Sequence, residues 1–318
     1  MQKLKITAVI LFHDEKLEDL KKTINSLMNE VDDIYIITTS DLAKEIKEKN
    51  IIIIKDNLLK NNFSELRNKN NLFLPDNLLF HLNVGEILIT KNIKNYIEDK
   101  NYKISILYDT TIVKESRICE KKNFIFNNKI FESIKNQNFE LNKNIFINAS
   151  DCKRKNFLKI LNEWQNEEPL NNQIIYYKAI NYLINQEYDN FLCEAEKFLF
   201  CKNINQENEI LMRYYICLIL LMKNKNKGKI MQNISTCLAK MPHMAEFWCF
   251  CGDYWYENKN FYHAKKFYEF AIIAGKKRNI NDDWFLIPEK YKKYPIKMIE
   301  SCKKIIENQT KFISKNNI

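Results

Sequence analysis

Between residues 6 and 82, four short apolar runs alternate with segments of helical periodicity, and that alternation limits the fold more than any other feature of the chain. The runs are ITAVILF (6–12), DIYIITT (33–39), IIIIKD (51–56) and LLFHL (78–82). They lack strict in–out alternation, as strands buried on both faces do. Between them lies KLEDLKKTINSLMNEV (16–31), whose Leu17, Leu20, Ile24, Leu27, Met28 and Val31 recur at helical spacing. The other connections are the shorter DLAKEIKEK (41–49) and FSELRNKNNLF (63–73), with Ser64 near a helix N-cap. Strands joined by helices predict an α/β, Rossmann-like domain with a mainly parallel sheet over residues 1–150. In such sheets ligands bind outside the carboxyl ends of the strands. LLFHL ends there in the turn Asn83-Val84-Gly85-Glu86.

After residue 150 the strand signal fades, and residues 151–318 read as an all-α domain. AEFWCFCGDYWYENKNFYHAKKFYEFAIIAGKKR (245–278) has a helix–turn–helix pattern, with Trp248, Gly252, Ala264, Tyr268 and Ala271 at the packing positions of a tetratricopeptide-like unit. Weaker copies precede it at 172–200 and 208–242, and three such units are about the minimum for a stable stack. A closing helix is expected from Ile296, after Pro295. Trp248, Phe247, Tyr254, Trp255, Tyr256, Phe261 and Tyr262 read as core, although a helical stack can also bind peptides.

The net charge of +10 favours anionic partners such as nucleotides, nucleic acid or a membrane surface. The basic residues are spread along the chain and form no stripe with interleaved aromatics, which argues against nucleic acid. No apolar run approaches the ~18 residues of a membrane span; YYICLILLM (214–222) is the longest. Nine cysteines form no CxxC pair, so a zinc site is not expected; their odd number and the lack of a signal peptide predict reduced thiols in the cytoplasm.

The order of motifs resembles the family-2-type glycosyltransferases of the GT-A fold, in the branch fused to tetratricopeptide repeats. The resemblance runs over nearly the whole chain. It is carried by His13-Asp14-Glu15 after the first strand and by ITTSDLAKEI, with Thr38 where the family has a nucleobase-contacting Asp. The most specific piece is NFSELRN, where Phe63, Ser64, Arg67 and Asn68 agree with the family and Asn62 replaces an acid. NVGE (83–86) stands where the family keeps a D-A-D-E phrase. In the strand that starts at Arg117 and its continuation, Glu132 matches a G-x-x-H-E phrase whose histidine is Phe131 here. DDWFLIPEKYKKYP (282–295) resembles a phrase found after the repeats.

The resemblance implies a nucleotide-sugar donor bound by Asp14, Glu15, Thr38, Arg67, Asn83 and Gly85, with Glu86 and Glu132 as catalytic or acceptor-positioning acids. It implies inverting transfer to a protein, peptide or glycan acceptor. Sugar transfer of this type needs the diphosphate's developing charge stabilised, usually by Mg²⁺ or Mn²⁺ on carboxylates. Asn83 offers one neutral oxygen and Gly85 none, so no metal ligand is expected, and Arg67 or lysines would supply the positive charge. The structural readings stand beside these. Arg67 could hold the fold through a carboxylate, Asp14 and Glu15 could simply begin a helix, and His81 reads as a core histidine. The other reading of the whole chain is a glycosyltransferase-shaped protein that has lost catalysis and acts through its repeats.

Overall fold

A computed structural model describes residues 4–13, 15–56, 62–129, 133–134, 139–150, 157–279, 282 and 284–316. The chain divides into two compact units, Met1–Trp164 and Gln165–Ile318. Residues 151–156, where the expected boundary at 150 falls, lie outside the described residues.

The first unit carries β1 (Ile6–Phe12), α1 (Leu17–Leu27), β2 (Asp33–Thr38), β3 (Ile51–Lys55), α2 (Phe63–Asn70), β4 (Leu78–Asn83) and β5 (Ile87–Leu88). These are followed by β6 (Tyr102–Tyr108), β7 (Thr111–Glu120), β8 (Phe126–Asn127), β9 (Ser133–Ile134) and β10 (Glu140–Asn148), and α3 (Leu158–Glu167) crosses into the second unit. The main sheet has the order β3-β2-β1-β4-β7-β6-β10-β5, and β8 pairs with β9 in a separate ribbon. Strands β1 to β4 run parallel, as the alternating pattern predicts. The half beyond β4 is mixed, because β7 is antiparallel to both β4 and β6 while β10 is parallel to β6.

β1 is buried along its whole length and β4 nearly so. One face of β4, with Leu78, Phe80 and Leu82, joins the core that Leu20, Ile24 and Leu27 of α1 complete. The opposite face carries Leu79, His81 and Asn83, and Phe124 and Phe126 pack edge-on against His81 there. Two local expectations differ. IIIIKD is an edge strand with Ile52 40% exposed, because β3 has one strand neighbour and a run of isoleucine cannot reveal sheet position. Residues 41–49 form only a 3-10 turn over Asp41–Glu45, whose buried apolar anchors Ala43 and Ile46 stand three apart, the spacing such a turn eclipses.

The second unit is helical: α4 (Asn172–Ile184) and α5 (Tyr188–Phe200), α6 (Gln206–Met222) and α7 (Lys227–Lys240), α8 (Ala245–Glu257) and α9 (Phe261–Lys277), then α10 (Lys293–Asn316). Each pair closes through one hydrogen-bond pattern. The N–H donors of Glu187, Lys225 and Asn260 reach back five residues to the carbonyls of Tyr182, Leu220 and Trp255. The residues before those donors, Gln186, Asn224 and Lys259, have φ of 62°, 49° and 58°. This is the helix-ending motif in which one left-handed residue turns the chain. The third pair meets as its residues demand: a Cβ on Gly252 would lie 2.4 Å from the buried Tyr268 ring. α10 starts at Lys293, earlier than Ile296, because Pro295 falls in the first turn, where a missing N–H costs no helical bond. Among the described residues no helix is long and apolar enough to cross a membrane, and all eight described cysteines are free thiols.

Candidate functional site

The chain moves outward from β1 to β2 and β3, then returns to lay β4 on the other side of β1. The carboxyl ends of β1 and β4 therefore flank the point where the strand order reverses, the position that opens a crevice in sheets of this kind.

On the β1 side, His13 donates its backbone N–H to Glu15 Oε2 at 2.7 Å, and its Nδ1 lies 2.5 Å from Thr39 Oγ1. The imidazole also sits 5.8 Å from the Phe63 ring. Thr38, the expected base-binding position, is fully buried, and its hydroxyl accepts the Ser40 N–H at 2.8 Å. It is used up in its own turn, and the partly exposed Thr39 is the threonine that reaches His13. Asp14 lies outside the described residues.

The segment NFSELRN is legible residue by residue. Asn62, not Ser64, caps α2: its Oδ1 accepts the Glu65 N–H at 3.1 Å, and Ser64 Oγ donates to the same oxygen. Leu66 enters the core. Asn68 clamps β8 by donating Nδ2 to the Phe126 carbonyl and accepting the Phe126 N–H, both at 2.8 Å. That clamp places the Phe126 ring under Arg67, whose guanidinium lies 5.2 Å from the ring centroid. Arg67 is 1% exposed, and its Nη2 points at Asn83 Oδ1, 3.4 Å away. The motif thus sets a buried cation behind the carboxyl end of β4.

The turn after β4 is built around Glu86. The Glu86 N–H donates to the Asn83 carbonyl at 3.1 Å, and Gly85 between them has φ of 91°, a backbone state that glycine adopts without strain. Gly85 N–H is buried against Thr23 Oγ1 at 2.9 Å. The Glu86 carboxylate folds back: Oε2 accepts the Asn83 N–H at 2.7 Å and Oε1 accepts Asn83 Nδ2 at 3.1 Å. Arg117 of β7 closes the arrangement by donating Nη2 to Oε1 at 2.8 Å and Nη1 to Oε2 at 3.1 Å. Glu86 and Arg117 are 1% and 2% exposed. A group with both oxygens so occupied and shielded from solvent has no lone pair to offer an acceptor hydroxyl. The expectation that Glu86 serves as the reacting acid does not fit this geometry; Glu86 fixes the turn and neutralises Arg117.

Arg117 also donates Nε to Glu115 Oε2 at 3.1 Å. Burial lowers its pKa, but Glu86 and Glu115 more than offset this and raise it above the ordinary arginine value. His81 experiences the reverse. Burial and the neighbouring Arg67 and Arg117 hold it well below 6.5, with only a hydrogen bond to Asn83 opposing them. It is therefore neutral near neutral pH, and its Nε2 has no hydrogen-bond partner among the described residues. Sequence reasoning named Arg117 only as the start of a strand. The contact with Glu86 spans 31 residues and depends on the antiparallel β4–β7 pairing, which periodicity does not disclose.

These residues do not suit a divalent cation. The Asn83 amide oxygen faces a guanidinium, Gly85 has no side chain, and the Glu86 carboxylate is committed to Arg117. Among the described residues no group of three His, Cys, Asp or Glu side chains could hold a metal. Arg117 is compensated by Glu86 and Glu115, and the guanidinium that approaches the Asn83 side chain is that of Arg67. Glu132, the other expected acid, lies outside the described residues.

No protein-family model matches the chain, and no curated protein does. Solved structures that superpose include MamA 41-end from Desulfovibrio magneticus RS-1, at 14% identity and TM-score 0.34 over 48% of this chain and 85% of that one. Yeast Tom70 aligns at 18% identity and TM-score 0.31 over 41% of this chain and 26% of that one. S. aureus TarS 1-349 in complex with UDP-GlcNAc aligns at 10% identity and TM-score 0.34 over 95% and 92%. At these scores the superpositions establish neither a common fold nor a shared activity.

Proposed function

We propose that the N-terminal unit binds a nucleotide-sugar at the carboxyl ends of β1 and β4 and transfers its sugar to a protein or glycan acceptor. The observation that supports this reading most is the placement of NFSELRN, which sets the Arg67 guanidinium behind Asn83 at the reversal of strand order. The partly exposed His13, Glu15 and Thr39 line the nucleoside side of the crevice, and Asn83 faces the diphosphate. Arg67 lies one layer deeper and acts through its field, which a low-dielectric setting strengthens. In the transfer, an acceptor oxygen forms the new bond to the anomeric carbon. The bond from that carbon to the diphosphate breaks, the diphosphate leaves with the electron pair, and the acceptor proton passes to a carboxylate. Glu132, the second acid that the resemblance implies, is the candidate for that carboxylate. Thr38 and Gly85 contribute backbone shape to the crevice, and Glu86 holds Asn83 in place. The site carries the diphosphate without a bound Mg²⁺ or Mn²⁺. We place the protein in the cytoplasm, where nucleotide-sugars are made.

Calorimetry with UDP, GDP and CMP, each with and without Mn²⁺, tests the reading. The expected result is binding of one nucleotide that ignores Mn²⁺ and weakens about tenfold or more in Arg67→Met, the size of effect typical for losing one preorganised cationic group. If no nucleotide binds and no nucleotide-sugar is consumed, the reading is wrong. A second reading is favoured by the closed Glu86–Arg117 pair: a donor-site protein without turnover that acts through its helical repeats. It predicts nucleotide binding with no sugar release from any donor, and measurable transfer would eliminate it.

A further inference from the structure

The outward face of α9 is used neither by the packing of the helical unit nor by sugar transfer. Ala264, Tyr268 and Ala271 turn the opposite face inward, where Ala264 and Tyr268 pack with Cys302 of α10. Tyr262, Lys266, Phe270, Ile273 and Lys277 follow one another at spacings of four, four, three and four, so they form one stripe on the side away from that core. The stripe runs for about 22 Å at the helical rise per residue. Tyr262, expected in the core from the sequence, is 61% exposed, Ile273 52% and Phe270 46%. Phe270 leans on Trp248 of α8, with ring centroids 5.4 Å apart, and Trp248 is itself fixed by donating Nε1 to the Pro242 carbonyl at 2.7 Å.

The charges on this face have one sign. Lys266 holds its ammonium 5.8 Å from the centroid of the Tyr262 ring. Lys266, Lys276 and Lys277 are all exposed, and none has a carboxylate partner among the described residues. Glu269 is the single acid of α9, and it is already paired with Lys265 at 3.3 Å. Apolar surface and uncompensated positive charge therefore alternate along the same ridge. A helix face turned only to water favours polar side chains throughout. A protein partner is usually anchored in pockets, whereas these side chains stand off one helix as a ridge.

We propose that α9 docks the helical unit on an anionic lipid bilayer. The helix lies along the surface, with Tyr262, Phe270 and Ile273 in the interfacial layer and the ammonium groups of Lys266, Lys276 and Lys277 on lipid phosphates. Helices that rest in a membrane interface divide their residues in this way, with lysines beside aromatic and aliphatic groups. Lysine stems are long enough to cover apolar surface and return their charge to the headgroups, and the polar tip of tyrosine suits the same depth. Three lysines make the binding depend on anionic lipid, and the apolar side chains add affinity that charge alone does not supply. Docking of α9 is independent of nucleotide binding by the first unit.

The test is co-sedimentation of the full chain with phosphatidylcholine vesicles, prepared with and without phosphatidylglycerol. Binding is expected only where phosphatidylglycerol is present, and it should fall as salt is raised. Lys266→Ala combined with Lys277→Ala should weaken it about 25-fold, at about fivefold for each lysine near an anionic surface. Tyr262→Ser combined with Ile273→Ser should weaken it at least about tenfold through lost apolar burial. All four positions are exposed, so both variants should keep the wild-type circular dichroism spectrum, and the lipid and salt dependence of the unaltered chain needs no variant. The proposal is overturned if the chain does not sediment with phosphatidylglycerol vesicles, if it sediments equally with phosphatidylcholine alone, or if either double variant binds as the wild type does. Displacement from the vesicles by polyglutamate or RNA as effectively as by competing vesicles would also overturn it, because the face would then recognise a polyanion without entering lipid.

Discussion

Glu86 and Arg117 show how a residue's neighbours decide its role. The carboxylate accepts from Asn83 and Arg117 at once, and both members of the ion pair are almost wholly buried. Removing one partner of a buried pair typically costs about 3–5 kcal/mol, and because Arg117 keeps Glu115 at 2.8 Å the low end of that range applies here. Glu86→Gln is therefore expected to lower stability by an amount of that order, measured by urea unfolding, and Glu86→Gln with Arg117→Met should recover much of the loss. Full stability combined with lost turnover would instead make Glu86 a reacting group. His81 gives a pH signature on the same face of the sheet. Its folded pKa lies below the unfolded value of 6.5, so below 6.5 the unfolded chain takes up a proton that the folded chain refuses. Its contribution is fully present above pH 6.5 and is lost as pH falls toward the folded pKa. His81→Gln should flatten the decline in unfolding midpoint below pH 6.5; an unchanged slope would show that other groups control it.

At the scale of elements, the pattern of small and large residues in the third helix pair was open to reading from sequence because it is local. Gly252, Ala264, Tyr268 and Ala271 stand at fixed offsets, and the structure packs Tyr268 directly over Gly252. Gly252→Ala puts a methyl group into that ring contact and is expected to destabilise by about 1–3 kcal/mol, the usual cost of overpacking, visible as a lower melting temperature. The turns that close the helix pairs were not legible. Each uses a left-handed residue that is not glycine (Gln186, Asn224, Lys259), in a chain with only four glycines. Sequence reading looks for glycine or asparagine at such a stop, so the turns at Gln186 and Lys259 gave no signal. A side chain there costs about 1–2 kcal/mol in backbone strain, partly offset by the greater unfolded freedom of glycine. Lys259→Gly should then raise stability by about 0.5–1 kcal/mol, and a decrease would mean that the lysine side chain makes a contact that matters. Segment 41–49 misleads for a similar reason: charged residues with high helix propensity fill a stretch whose buried anchors Ala43 and Ile46 suit a 3-10 turn.

For the whole molecule, what periodicity can express was recovered and what depends on distant pairing was not. The parallel strands β1 to β4 and the helical repeats follow from local rhythm. The antiparallel strands β6 and β7 and the long β10 do not, and they bring Arg117 to the β4 turn. The sequence told where a site would lie, through NFSELRN and the turn after β4, and it told which carboxylates were missing there. It did not tell that the remaining one was occupied by an arginine. Together these facts bear on how the protein responds to metal. A site with millimolar metal far above its dissociation constant would gain about 2.7 kcal/mol or more at a hundredfold excess, enough to move the melting temperature by a few degrees. At the Asn83 turn no such gain is expected, because the Glu86 carboxylate is committed to Arg117 and Asn83 offers only an amide oxygen that already faces Arg67. The melting temperature should be the same in Mn²⁺, Mg²⁺ and EDTA. Restoring acids tests the cause: Asn83→Asp should bring Mn²⁺-dependent stabilisation only when Arg117→Met also frees Glu86 to act as a ligand. A wild-type melting temperature that rises with Mn²⁺, or an Asn83→Asp single variant that responds as strongly as the double one, would show that the guanidinium groups do not govern this turn.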